Sequence, residues 1–148
     1  MPEGSALSAP ATASVMKTQR TFAAIPSQVG QARRYLASLA DGHNAADDAL
    51  TCLSELATNA VIHSDSGRPG GIFEVCFIIG PGRIRVEVAD QGGPWQRRYL
   101  NGDDQGGRGL AIVAALASSW GITGDRLGRT AWCELDYTAA DSTGVAAS

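Results

Sequence analysis

The sequence predicts an α/β protein built as an α+β two-layer sandwich, a mixed, mostly antiparallel sheet with about three helices packed on one face. Two runs with apolar residues at every second position, joined by Gly80-Pro81-Gly82, supply the sheet signal. Two amphipathic stretches and one apolar run supply the helical layer. Clean alternation leaves one sheet face wet, so the helices are expected on the other.

Taken in order, residues 1 to about 18 are rich in Ala, Ser, Pro and Thr and show no apolar period. They bury too little to offset ordering entropy and read as a disordered tail, as do residues 138–148. The domain is expected over 19–137. Thr21 to Ile25 is a short strand, punctuated by Pro26-Ser27. Ala32, Tyr35, Leu36, Leu39 and Ala40 follow i, i+3, i+4, i+7, i+8, a helix with one buried face that stops at Asp41-Gly42. A second helix is expected from Asn44, whose side chain can cap it, with Asp47 and Asp48 in the first turns where the macrodipole favours them. It ends before Ser66.

Ile72–Ile79 and Arg83–Ala89 are the clearest strands. Phe73, Val75, Phe77 and Ile79 share one face of the first. Ile84, Val86 and Val88 face the core in the second, while Arg83, Arg85 and Glu87 face water. Residues 91–109 hold six glycines and form a long connection of the functional kind. Leu110–Ala117 is almost wholly apolar and is expected as a deeply buried third helix. Trp120–Gly124 and Arg129–Tyr137 close the chain as strands, with Ala131, Cys133 and Leu135 on one face.

Length and charge narrow the function. A chain of 148 residues suits one domain, able to bury roughly 70% of its unfolded surface. Twelve basic and fifteen acidic residues give a net charge of −3, which draws neither nucleic acid nor an anionic membrane. The N-terminus has no basic region followed by an apolar one, and the longest apolar run is far short of a membrane span. A cytoplasmic protein is expected. Three cysteines without a CxxC pair argue against a disulfide framework or cysteine-rich zinc site, and are expected to be reduced and buried.

Three short motifs carry chemistry. On the second helix Glu55, Asn59 and His63 recur every four residues as a polar ridge, bordering the buried face formed by Ala49, Leu53, Leu56 and Ala60. A carboxylate and a carboxamide one turn apart beside an apolar wall suit a divalent cation or a polarised water; an ordinary solvated flank is the alternative. Asp90-Gln-Gly92 follows the end of a strand, where an acid can accept a hydrogen bond from an exocyclic amino group; an ordinary Asp-x-Gly turn is the alternative. Gly106-Gly107-Arg108-Gly109-Leu110 opens a helix, where glycines and the helix N-terminus can make a phosphate cradle; a flexible loop with a glycine-rich N-cap is the alternative. No Gly-Lys-Ser/Thr follows, so it is not a Walker A loop.

ExxxN on a helix, DxG after a strand and GxG opening a helix resemble, in that order, the Bergerat-fold (GHKL, histidine-kinase-like) ATPases. The resemblance implies that this fold binds ATP with Mg2+. Asn59 would hold the metal, Glu55 would be the catalytic base and Asp90 would read adenine. Gly92 would lie under the base, Gly107, Gly109 and Leu110 would border the phosphates, and Thr130 would complete the adenine pocket. The compact form, with Glu-Leu-x-x-Asn-Ala, is similar to the anti-sigma-factor serine/threonine kinases over about residues 20–137. That implies a sigma factor and an anti-sigma-factor antagonist as protein partners, and leaves room for a homodimer. A non-catalytic ATP-dependent binding module and a stand-alone ATP hydrolase are the alternatives. Where the family often carries Asp-x-Gly-x-Gly, this chain has Pro94, which removes a backbone donor and stiffens the root of the segment after Trp95. His63, at a helix end, is expected to bond to nearby backbone.

Overall fold

The computed structural model describes residues 14–64, 68–93 and 105–137, with 105–108 as backbone only. Its elements run β1 (Met16–Ala23), α1 (Pro26–Leu39), α2 (Ala46–His63), β2 (Ile72–Gly80), β3 (Arg83–Asp90), α3 (Gln105–Leu116), β4 (Ser119–Asp125) and β5 (Gly128–Asp136). The sheet order is β1-β2-β3-β5-β4. Every neighbouring pair is antiparallel, so the expected mixture is absent among the described strands. The reason is topological: the β3-α3-β4 crossover returns β4 in the direction of β3, and β5 then inserts between them.

The helical layer centres on α2. Ala49, Cys52, Leu53, Leu56, Ala57 and Ala60 are buried against the alternating sheet residues Phe73, Val75, Phe77, Ile84, Val86, Val88, Ala131, Cys133 and Leu135. Phe73 and Phe77 are fully buried, and each contributes about 1.5–3 kcal/mol by leaving water. The opposite sheet face is polar. Arg83 pairs there with Asp136 at 2.8 Å, an exposed pair that solvent screens. Arg85 lies 4.3 Å from the Trp132 ring centroid and donates to Glu87 and Glu134. The indole lies over Gly121, where a Cβ would come within 3.0 Å of the ring.

All three cysteines are free and buried. The neighbouring Cys52 thiol and burial hold the Cys133 thiol far above its ordinary range, and burial raises Cys76 as well. Neither is a thiolate nucleophile at neutral pH.

Four expectations need correction. β1 begins at Met16, so residues 16–18 belong to the sheet and not to a tail. Among its eight residues only Phe22 is buried, and the edge strand is held by backbone pairing that leaves no apolar pattern to read. It also stops at Ala23, because Ile25 is the N-cap of α1. Asn44 does not cap α2: the helix starts at Ala46 with Ala45 at the cap, and His43 Nδ1 accepts from the Ala45 N–H at 3.0 Å.

The fourth is α3, which starts at Gln105 instead of Leu110 and ends at Leu116. It is not deeply buried throughout: Leu110 and Val113 face the core, while Ile112 is 38% exposed.

Candidate functional site

Glu55 and Asn59 of the α2 ridge lie at the seam between α2 and α3. Asn59 is 7% exposed, the one buried polar residue among those described. Its position follows from the helical repeat, which sets it one residue from buried Ala60 and one turn after half-buried Glu55. Asn59 Nδ2 has no hydrogen-bond partner among the described residues. A buried donor without an acceptor costs about 1–3 kcal/mol, so the site fits a group that brings oxygen to it.

Gly109 closes the seam from α3. A Cβ there would lie 2.9 Å from Glu55 Oε1, 3.3 Å from Asn59 Oδ1 and 3.4 Å from Asn59 Nδ2. Glycine therefore lets the start of α3 approach both polar groups. The glycine run Gly106-Gly107-Arg108-Gly109, expected as a loop before the helix, is instead its first turns. Gly107 is in that helical backbone, and Leu110 anchors the same end by burying its side chain at 4% exposure.

Asp90 stands at the end of β3, where a second piece of the site is assembled. Its Oδ1 accepts from the Gly92 N–H at 2.7 Å, which is the Asp-x-Gly turn. Gly92 has φ +79, and a Cβ on it would meet Arg126 O at 2.2 Å and Gly128 N at 2.8 Å. Gly93 N–H donates to Arg126 O at 2.8 Å. The turn after β3 is thus docked on the β4–β5 hairpin.

The structure brings Glu55, Asn59 and Gly109 together and fixes Asp90 with Gly92. It does not bring Thr130 to Asp90. Thr130 is paired with Ala89, on the sheet face away from the helices. The residue directly opposite Asp90 is Arg129, which the sequence reading missed. Counting back by twos from Leu135, Cys133 and Ala131 reaches 129 and was the available signal. Pro94 and the segment after Trp95 lie outside the described residues. Among the described residues no three His, Cys, Asp or Glu side chains form a metal cluster.

A family model for the histidine kinase-like ATPase domain matches residues 22–132. The chain belongs to the histidine kinase-like ATPase family. Among solved structures, the chain is similar to the RsbU and RsbW domains of Rv1364c from Mycobacterium tuberculosis, with 24% identity and a TM-score of 0.61. The match covers 82% of this chain and 32% of that one, so this ATPase domain spans about a third of the solved chain. At that identity the likeness concerns the fold. No curated protein gives a significant match. No described helix of this ATPase domain is long and apolar enough to cross a membrane.

Proposed function

We propose that the domain binds ATP with Mg2+ and acts as a serine/threonine protein kinase that phosphorylates an anti-sigma-factor antagonist and, as an anti-sigma factor, sequesters a sigma factor. The observation that carries the reading is buried Asn59, with an unsatisfied Nδ2, beside Glu55 and under Gly109. Family membership supports the ATP assignment, and the RsbW-like fold supports the regulatory one.

In this reading Asp90 accepts from the adenine amino group. Its carboxylate is oriented by the Gly92 N–H and retains acceptor capacity, since an ionised carboxylate has about four lone-pair sites. Thr130 is left out of the base pocket because of its face. Asn59 would hold Mg2+ through the carboxamide oxygen, and the chemistry that the ion supplies when bound is charge neutralisation on the phosphates. The N-terminus of α3 offers backbone N–H groups and its dipole to the anion. Glu55 orients the attacking hydroxyl and takes its proton late.

Two variants test the binding half. Asp90→Asn puts a donor in place of one acceptor, and a donor facing a donor costs about 1–3 kcal/mol, so ATP affinity is expected to fall at least several-fold in a folded protein. Calorimetry showing unchanged affinity would remove Asp90 from the pocket. Asn59→Ala is expected to weaken ATP binding much more in magnesium than in EDTA. Equal losses in the two conditions would show that Asn59 is not the metal ligand. The kinase half is tested with labelled ATP and candidate antagonist proteins from the same genome, where transfer to none of them would refute it.

A further inference from the structure

We propose that Arg129 is the positioning residue of the base pocket, acting through Asp90 by fixing the orientation of its carboxylate; the proposal rests on the ATP reading above. Arg129 and Asp90 are directly opposite in the antiparallel β3–β5 pair. Opposed residues in such a pair share a face and hold their Cβ atoms about 4.5–5.5 Å apart. On the other flank Arg129 is paired with Gly124, which has no side chain and φ +96. Asp90 is therefore the cross-strand side chain that Arg129 meets.

Burial adds the physical constraint. Arg129 Nη1 is sealed from solvent. A guanidinium with one nitrogen out of water favours anionic company, and the acid opposite half-buried Arg129 is Asp90. Its planar fork suits a carboxylate in a way that a point charge does not. The Gly92 N–H already holds Oδ1 at 2.7 Å. A second hold from across the strand pair removes the remaining rotation of the carboxylate and aims it. The contacts of Gly92 and Gly93 with Arg126 make the two strand ends one unit, so the aim is carried by the sheet.

The test compares ATP with purine riboside triphosphate, which lacks the 6-amino group that Asp90 reads. The parental protein is expected to prefer ATP by roughly tenfold, the value of one hydrogen bond to a charged group. In Arg129→Gln the preference is expected to collapse to within about twofold, because an unaimed carboxylate no longer rewards the amino group. Arg129→Lys keeps the charge without the fork and is expected to fall between the two. It also carries the comparison if Arg129→Gln does not fold. A merely structural arginine would weaken both nucleotides alike, and an unchanged preference in either folded variant overturns the proposal. A urea-unfolding cycle of Asp90→Asn and Arg129→Gln without nucleotide is expected to be non-additive, and additivity overturns the pairing. If the parental protein binds neither nucleotide, the ATP reading fails and the base-pocket role falls with it. Binding of both with unchanged preference in the variants sinks the Arg129 role alone.

Discussion

Glu55→Gln is expected to abolish nearly all phosphoryl transfer while ATP still binds. Glutamine keeps the length and hydrogen bonding of the side chain, so the packing of Gly109 against position 55, where Oε1 is 2.9 Å from a Cβ position, is retained. What is lost is the capacity to take a proton. General-base loss is typically worth roughly 10²–10⁴ in rate. In phosphoryl transfer the protein mainly positions groups and stabilises charge, so in the proposed reaction this carboxylate would supply the part of catalysis that positioning cannot replace. The check is single-turnover transfer of labelled phosphate to an antagonist, with calorimetry confirming unchanged ATP affinity. Sigma binding is expected to persist, since it needs a surface and not a base. Transfer at the parental rate in Glu55→Gln would strip Glu55 of its role. A parental protein that grips a sigma factor yet phosphorylates no antagonist would make the domain an ATP-dependent binding module.

The sheet was legible because alternation is a strong code when one face is buried. Phe73, Val75, Phe77, Ile84, Val86 and Val88 declared their face in the sequence and took it in the structure. The buried face of α2 was legible for the same reason, and Asn59 was placed at its border by counting turns. The start of α3 was not. Gly106, Gly107 and Gly109 each cost a helix about 1 kcal/mol relative to alanine, so propensity argues for a loop where tertiary contact keeps a helix. The contact that decides it, Gly109 on Glu55 and Asn59, links residues 54 and 50 positions apart and has no local signature. β1 failed from the opposite cause: its pairing is by backbone, and mostly exposed side chains show no period. At Thr130 the motif named a residue whose face the alternation denies.

Gly92→Ala is expected to destabilise the domain severely, by about 3 kcal/mol or more. Two costs add at this position. The backbone has φ +79, where an L side chain is strained by about 1–3 kcal/mol. The new methyl would also lie 2.2 Å from Arg126 O and 2.8 Å from Gly128 N, which are backbone atoms of a hairpin and cannot turn away as a side chain would. Relief requires the turn to leave the hairpin, which breaks the Gly93 N–H to Arg126 O bond and swings Asp90 off its anchor. Gly42 provides the control, since it has the same φ of +79 with nothing within 4 Å of its Cβ position. Gly42→Ala therefore carries the strain without the collision and is expected to cost only about 1 kcal/mol. Thermal melts followed by circular dichroism should place Gly92→Ala roughly 10 °C below Gly42→Ala or lower. Calorimetry below the melting point should show ATP affinity reduced in the first and kept in the second. Equal melting temperatures for the two variants would mean that the turn yields to the methyl at no cost, and that Gly92 is a glycine for its backbone angle alone.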